Sequence, residues 1–131
     1  MSHPSPRDVA TGFFEDVSAG RVAEAWDRLA PDVIYDVIAP APVGRRVDRD
    51  GLGAMYADGV MAALAEPLRL EIKGVTAEGE RVAVEVESHS VNKRGMIYNN
   101  RYHFLFVIRE GKIVEGREYL DSAHLIDILD V

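Results

Sequence analysis

From Pro67 onward the chain is a series of four strand-like runs, near residues 68–77, 81–91, 96–108 and 112–121, separated by the turns EGE, NKRG and EG. Connections this short can join only antiparallel neighbours, because a parallel crossover needs a dozen residues or more. Nearly half of the molecule is therefore committed to an antiparallel meander. The segment before Pro67 is mostly helical in pattern. Helices followed by a meander is the α+β arrangement, with the helices gathered on one face of a sheet. A length of 131 residues suits a single domain spanning 1–131.

The helical half has clear boundaries. Ser5, Pro6 and Asp8 read as an N-cap, a first-turn proline and a first-turn acid, and Val9, Phe13, Phe14 and Val17 then keep helical spacing until Gly20. A second helix is expected to carry Val22, Ala25, Trp26 and Leu29 and to stop at Pro31, with Trp26 in its core. Val33–Ile38, VIYDVI, is β-branched and aromatic and reads as a short strand. APAPVGRRVDRD follows as a loop with solvated arginines, and residues 51–65 read as a third helix weakened by Gly53 and Gly59. Tyr56 in that helix suits core or pocket roof equally. The tail AHLIDIL reads as a last helical turn.

Composition excludes several function classes. With 15 Lys and Arg against 22 Asp and Glu, the net charge is −7, which repels phosphate backbones and anionic lipid, so no nucleic-acid or membrane partner is expected. The absence of cysteine removes thiolate chemistry and cysteine-ligated metal. His3, His89, His103 and His124 are too dispersed for a ligand set, and GLGAMYADG lacks the lysine of a phosphate loop, so neither a metal nor a cofactor is expected. The N-terminus MSHPSPRDVA has no apolar signal core, and no apolar run approaches the roughly 20 residues of a membrane span, so a cytoplasmic location is the default.

Register decides which acids share a face. In VAVEVESHS, Val82, Val84 and Val86 alternate with Glu85, Glu87 and His89. If NKRG brings Val91 opposite Met96, Glu87 faces Asn100 and Glu85 faces Tyr102. A three-residue loop, Arg109-Glu110-Gly111, asks only the glycine for positive φ, is preferred for that reason, and places Glu118 opposite Tyr102. A two-residue loop at Glu110-Gly111 would need positive φ at Glu110 as well and would instead turn Glu118 to the face of His103 and Arg101. One face would carry Glu85, Glu87, His89, Asn100, Tyr102, Phe104, Phe106, Val114 and Glu118. Aromatic at one end and polar at the other, that face suits a curved sheet whose open end leaves a cavity. The reverse face would carry Val82, Val84, Val86, Leu105, Val107, Ile113 and Tyr119, and its apolarity argues for a homodimer that covers it.

These residues, and most clearly Tyr98 to Asp121, YNNRYHFLFVIREGKIVEGREYLD, resemble the SnoaL-like branch of the nuclear-transport-factor-2-like superfamily. The resemblance covers nearly the whole chain. Its relatives include ketosteroid isomerases, limonene epoxide hydrolases and polyketide cyclases. It implies a cone: a strongly curved, mostly antiparallel sheet with N-terminal helices packed on its concave face, a hydrophobic pocket inside, and dimers formed through the outer sheet face. In the epoxide-hydrolase pattern, Glu118 and Glu87 match the two carboxylates and Tyr35 matches the pocket tyrosine, while Glu85 stands where that pattern has an arginine. In the isomerase pattern, Val37 stands where the base would be, and the oxyanion-hole acid falls near Tyr102 or His103.

The expected function is that of a small-apolar-molecule pocket protein, a metal-independent acid/base enzyme of the isomerase, cyclase or epoxide-hydrolase kind. Glu87 and Glu118 are the expected acid/base pair, because like charges about 6 Å apart and partial desolvation raise a carboxyl pKa. Glu85 would supply electrostatic pressure, and Tyr35, Val37, Tyr56, His89, Asn100 and Tyr102 would line the ligand site. The alternative is a non-catalytic ligand-binding protein with the same fold, its glutamates in solvent.

Overall fold

The computed structural model describes residues 2–131. Helix α1, Pro6–Ser18, starts where Ser5 Oγ accepts the Asp8 N–H at 3.1 Å and stops before Gly20, whose φ is +81°. Helix α2 is Val22–Asp27, and strand β1 is Leu29–Ile38. Strand β2 follows at Arg45–Val47, and helix α3, Arg49–Ala54, runs on as a π-helical coil over Met55–Met61. The meander comprises β3 Arg69–Glu78, β4 Arg81–Val91, β5 Ile97–Tyr98, β6 Arg101–Arg109 and β7 Lys112–Leu120, and helix α4, Ser122–Leu129, closes the chain. This is the expected α+β arrangement: a strongly curled half-barrel sheet holding helices. Among the described residues, no helix is long and apolar enough to cross a membrane.

One seven-stranded sheet runs in the order β2-β1-β7-β6-β4-β3, with β5 paired to β4. The chain returns to put β1 parallel to β7, the one parallel pair among the described strands. The second helix is shorter than its apolar spacing implied. Leu29 pairs with Ile113 of β7 instead of extending α2, and the ladder skips to Ile34. Pro31, which has no N–H to give, lies in that skipped stretch, so it breaks no ladder bond. The π coil over Met55–Met61, with no buried residue of its own, replaces the second half of the expected third helix.

The hydrophobic core lies between α1 and the concave face of the sheet. Val9, Phe13, Phe14 and Val17 meet Val82, Val84, Val86, Phe104 and Phe106, all buried. Phe14 stacks on Phe106 with centroids 5.5 Å apart and planes 7° apart.

Both hairpin registers differ from those expected. Asn92 N–H bonds the Met96 carbonyl at 2.9 Å, which leaves a three-residue loop with Gly95 at φ +79°. Buried Asn92 holds the loop, its Oδ1 accepting from Arg94 N–H at 3.0 Å and Met96 N–H at 2.8 Å. That single step pairs Glu85 with His103 and Glu87 with Arg101. A slip of one residue reverses every side chain. Val82, Val84 and Val86 therefore face inward and are fully buried, while Glu85, Glu87 and His89 face outward.

At the next turn Arg109 pairs with Lys112, a two-residue loop with Glu110 at φ +53° and Gly111 at φ +78°. Alone it would have sent Glu118 outward. The ladder then shifts between Val107 and Ile108, with Val114 as the extra residue, and the β-bulge restores the parity. Glu118 faces inward as expected, opposite Phe104 rather than Tyr102.

The outer face consequently mixes charge with apolar side chains. Arg101, His103, Glu85, Glu87, Glu115 and Arg117 share it with Leu105, Val107 and Tyr119. The argument for a dimer from two apolar faces does not survive this change.

Candidate active site

The curled sheet and its helices enclose a cavity of about 670 Å³. Its wall is mainly apolar: Phe13, Phe14, Trp26, Leu68, Phe104 and Leu125 contribute, together with Val37 and Tyr56 from the expected set. Its polar groups include Glu118 and the hydroxyls of Tyr35, Tyr98 and Tyr102. Among the described residues that line it, the other charged side chains are Arg45 and Asp58, both exposed at the mouth.

Tyr35 and Glu118 come from the parallel strand pair at the centre of the sheet. Tyr35 lies beside Gly116 and Val37 beside Glu118. A Cβ on Gly116 would sit 2.7 Å from the Tyr35 ring, so the glycine lets that ring lie against β7. The Tyr35 hydroxyl then donates to Glu118 Oε1 at 2.5 Å. The Tyr98 and Tyr102 hydroxyls are hydrogen-bonded to each other nearby. His124 stacks on Tyr98 with centroids 5.7 Å apart.

Burial sets the protonation of these groups. It pushes the Glu118 carboxyl above the usual carboxylate range, and the Tyr35 hydrogen bond opposes part of that rise. Burial also drives the Tyr35 phenol well up, reinforced by the adjacent Glu118 charge. Tyr102 is driven well up by burial, then by Tyr98 and Glu118, and Tyr98 rises by burial. Three neutral phenols thus surround one carboxyl whose proton affinity is enhanced.

The structure brings Tyr35, Val37, Tyr56, Tyr102 and Glu118 together around the cavity and leaves out the rest of the expected set. Glu87 lies on the opposite face of the sheet from Glu118, with Lys73 Nζ at 3.9 Å and Arg101 Nε at 3.8 Å. Glu85 is exposed beside it. The expected Glu87–Glu118 pair therefore does not exist, because the three-residue hairpin loop turned its first member outward. His89 is also outside, its Nε2 2.9 Å from Glu71 Oε1. Glu71, Glu87 and His89 are close enough to share a cation, but the Lys73 ammonium already stands 3.3 Å from Glu71 and near Glu87. Asn100 is buried but structural: its Nδ2 donates to the Asp121 carbonyl at 3.1 Å and its Oδ1 accepts the Arg101 N–H at 2.8 Å.

Three wall residues escaped the sequence reading. Trp26, expected in helix core, turns its indole to the cavity against Tyr56, with ring centroids 5.5 Å apart. Arg45 looked like a solvated loop charge, because nothing in APAPVGRRVDRD marks the short strand β2. Tyr98 could have been found from the alternation that links it to Tyr102 and Phe104.

The profile of the SnoaL-like domain matches residues 10–116. No curated protein matches the chain. Among solved structures, the fold is similar to an NTF2-like protein of unknown function from Burkholderia pseudomallei, with a TM-score of 0.81 and 20% identity over 98% of this chain and 100% of that one. It is also similar to IdmH of Streptomyces antibioticus, described as a candidate polyketide cyclase, with a TM-score of 0.80 and 19% identity over 98% and 100% of the two chains. AclR of Streptomyces galilaeus, described as a candidate hydroxylase, follows with a TM-score of 0.76 and 16% identity over 95% of each chain. Neighbours described by such different reactions share this fold, so the reaction must be argued from the side chains within the cavity.

Proposed function

Because the chain belongs to the SnoaL-like domain family, we propose that it binds a small, largely apolar molecule in this cavity and moves a proton on it with Glu118, needing no cofactor. The observation that carries the proposal is the part-buried Tyr35–Glu118 hydrogen bond of 2.5 Å at the wall of a mainly apolar cavity. A carboxyl whose proton affinity is raised by desolvation is one recognised way to carry out metal-free acid/base chemistry.

The chemistry this geometry suits is proton transfer beside a carbonyl, as in isomerisation or aldol cyclisation. Glu118 takes the proton from carbon, and the electron pair moves onto the carbonyl oxygen. In the Tyr98–Tyr102 pair one hydroxyl donates to the other, which keeps a proton to offer that oxygen. In isomerisation the protonated Glu118 then returns the proton at a different carbon. In aldol cyclisation the enolate carbon bonds a second carbonyl carbon within the ligand, and the oxygen of that carbonyl takes the proton from Glu118. Water-splitting of an epoxide fits less well, because its second carboxylate, Glu87, lies outside the cavity. The alternative, a binding protein without turnover, has the same cavity and differs only in what Glu118 does.

Glu118→Gln separates the two. Ligand binding is read from the single tryptophan, Trp26, which lines the cavity. The proposal expects binding within a few-fold of wild type and turnover reduced by about 10² or more. Unchanged turnover in the variant removes Glu118 from the mechanism.

We also propose a homodimer through the outer sheet face, where Ile34, Ile38 and Tyr119 are 41–43% exposed. Sedimentation at micromolar concentration that finds only monomer contradicts it.

A further inference from the structure

The mouth of the cavity carries an inference that rests on this binding reading and narrows it. Residues 40–44 form a tight turn in which the Val43 and Gly44 N–H groups donate to the Pro40 carbonyl at 3.1 and 3.0 Å. A Cβ on Gly44 would sit 1.8 Å from the Ala39 carbonyl oxygen, so glycine is required there. The turn delivers Arg45 into β2 opposite Val37, and Val37 lies beside Glu118. Arg45, Val37 and Glu118 thus form one row across three neighbouring strands, and all three line the cavity. At about 4.8 Å per strand, the Arg45 backbone stands roughly 10 Å from that of Glu118.

Arg45 is the one basic side chain among the described residues lining the cavity. Its guanidinium makes a single 3.3 Å hydrogen bond, to the Pro42 carbonyl. Arg46, by contrast, is tied to Asp36 at 2.7 Å. A guanidinium without a carboxylate partner, at the mouth of an apolar cavity, offers a planar donor fork shaped for an oxyanion. The surroundings do not attract anions by themselves, since the chain carries a net charge of −7 and Asp58 shares the mouth.

We infer that Arg45 determines ligand specificity: the cavity takes an apolar or aromatic molecule that bears an acidic substituent, with the anionic group on Arg45 and the body reaching inward to Glu118. A neutral molecule of the same body fills the cavity but forfeits that contact.

The test uses two dyes with one anilinonaphthalene body, 8-anilinonaphthalene-1-sulfonate and neutral N-phenyl-1-naphthylamine, titrated against the full chain with Trp26 fluorescence as readout. The wild-type protein is expected to bind the sulfonate roughly three- to tenfold more tightly than the neutral dye, and less so at 0.5 M salt, about the range of a partly exposed charge-assisted contact. Arg45→Met should weaken sulfonate binding several-fold more than neutral-dye binding and so remove the preference, and a circular-dichroism spectrum matching wild type shows that the variant is folded. Arg45→Lys should restore part of it, and Asp58→Asn should strengthen it. If the neutral dye binds and Arg45→Met leaves sulfonate binding unchanged, the inference fails and the pocket reading stands. If wild type binds neither dye, the pocket reading fails and takes this inference with it.

Discussion

Tyr35 and Glu118 meet at 2.5 Å across the parallel strand pair at the centre of the sheet, a phenol and a carboxyl both withdrawn from bulk water. The Tyr35 hydrogen bond favours the ionised carboxylate, whereas burial disfavours it and prevails. Removing the donor therefore has a defined sign.

Tyr35→Phe should raise the Glu118 pKa further, because only the opposing influence is lost. The acid limb of kcat/KM against pH then moves to higher pH. Stability should fall by about 1–3 kcal/mol in urea unfolding, as expected when a buried acceptor loses its donor. A limb moving to lower pH contradicts this assignment.

Glu85→Gln and Glu87→Gln should leave turnover within about twofold of wild type, the usual reach of a surface substitution. Both side chains lie outside the cavity on the outer face. A loss comparable to that of Glu118→Gln in either variant refutes the register-based assignment of faces.

Gly116→Ala should cost about 1–3 kcal/mol by thermal unfolding, because the new Cβ would sit 2.7 Å from the Tyr35 ring and displace it. In a Tyr35→Ala background the same change should cost much less, the signature of two groups competing for one space. Equal costs in the two backgrounds contradict the contact.

Asp16 sets the acid side of stability. Arg28 bonds its carboxylate at 2.8 Å and Arg21 at 2.9 Å, and the Arg28 hydrogen bond leads the causes holding its pKa below 3.8. A lowered folded pKa contributes stability that is present above 3.8 and lost as pH falls through the folded value. Glu118 has the opposite sign: its raised folded pKa contributes stability below 4.5 that is lost as pH rises through the folded value. Asp16→Asn should cost about 1–3 kcal/mol near neutral pH, below the range of a fully buried pair because the arginines remain 32% and 52% exposed. That difference from wild type should shrink in acid when followed by urea unfolding.

Particular residues show what could be read from the sequence alone. Helix α1 was fully specified, since Ser5, Pro6 and Gly20 mark its ends and the Val9–Phe13–Phe14–Val17 stripe its buried side. The meander was visible because alternation and turn residues are local signals. The faces were not, because parity depends on one-residue details of the loops. Asn92 shortened the first hairpin loop with its own side chain, and positive φ at Glu110, which glutamate tolerates poorly, shortened the second. Glu118 was placed on its correct face by two departures that cancel, the short loop and the bulge at Val114. Arg45 was out of reach because β2 exists only as a partner for β1, a contact no local pattern announces.

A titration of the Glu118 side-chain carboxyl by carbon NMR, its resonance assigned by loss in Glu118→Gln, tests the account most directly. A midpoint clearly above 4.5, the ordinary value for glutamate, is the result expected of a carboxyl desolvated in this cavity and available for proton transfer. A midpoint at or below that value would mean a water-exposed or fully compensated carboxylate and would contradict the proposed chemistry.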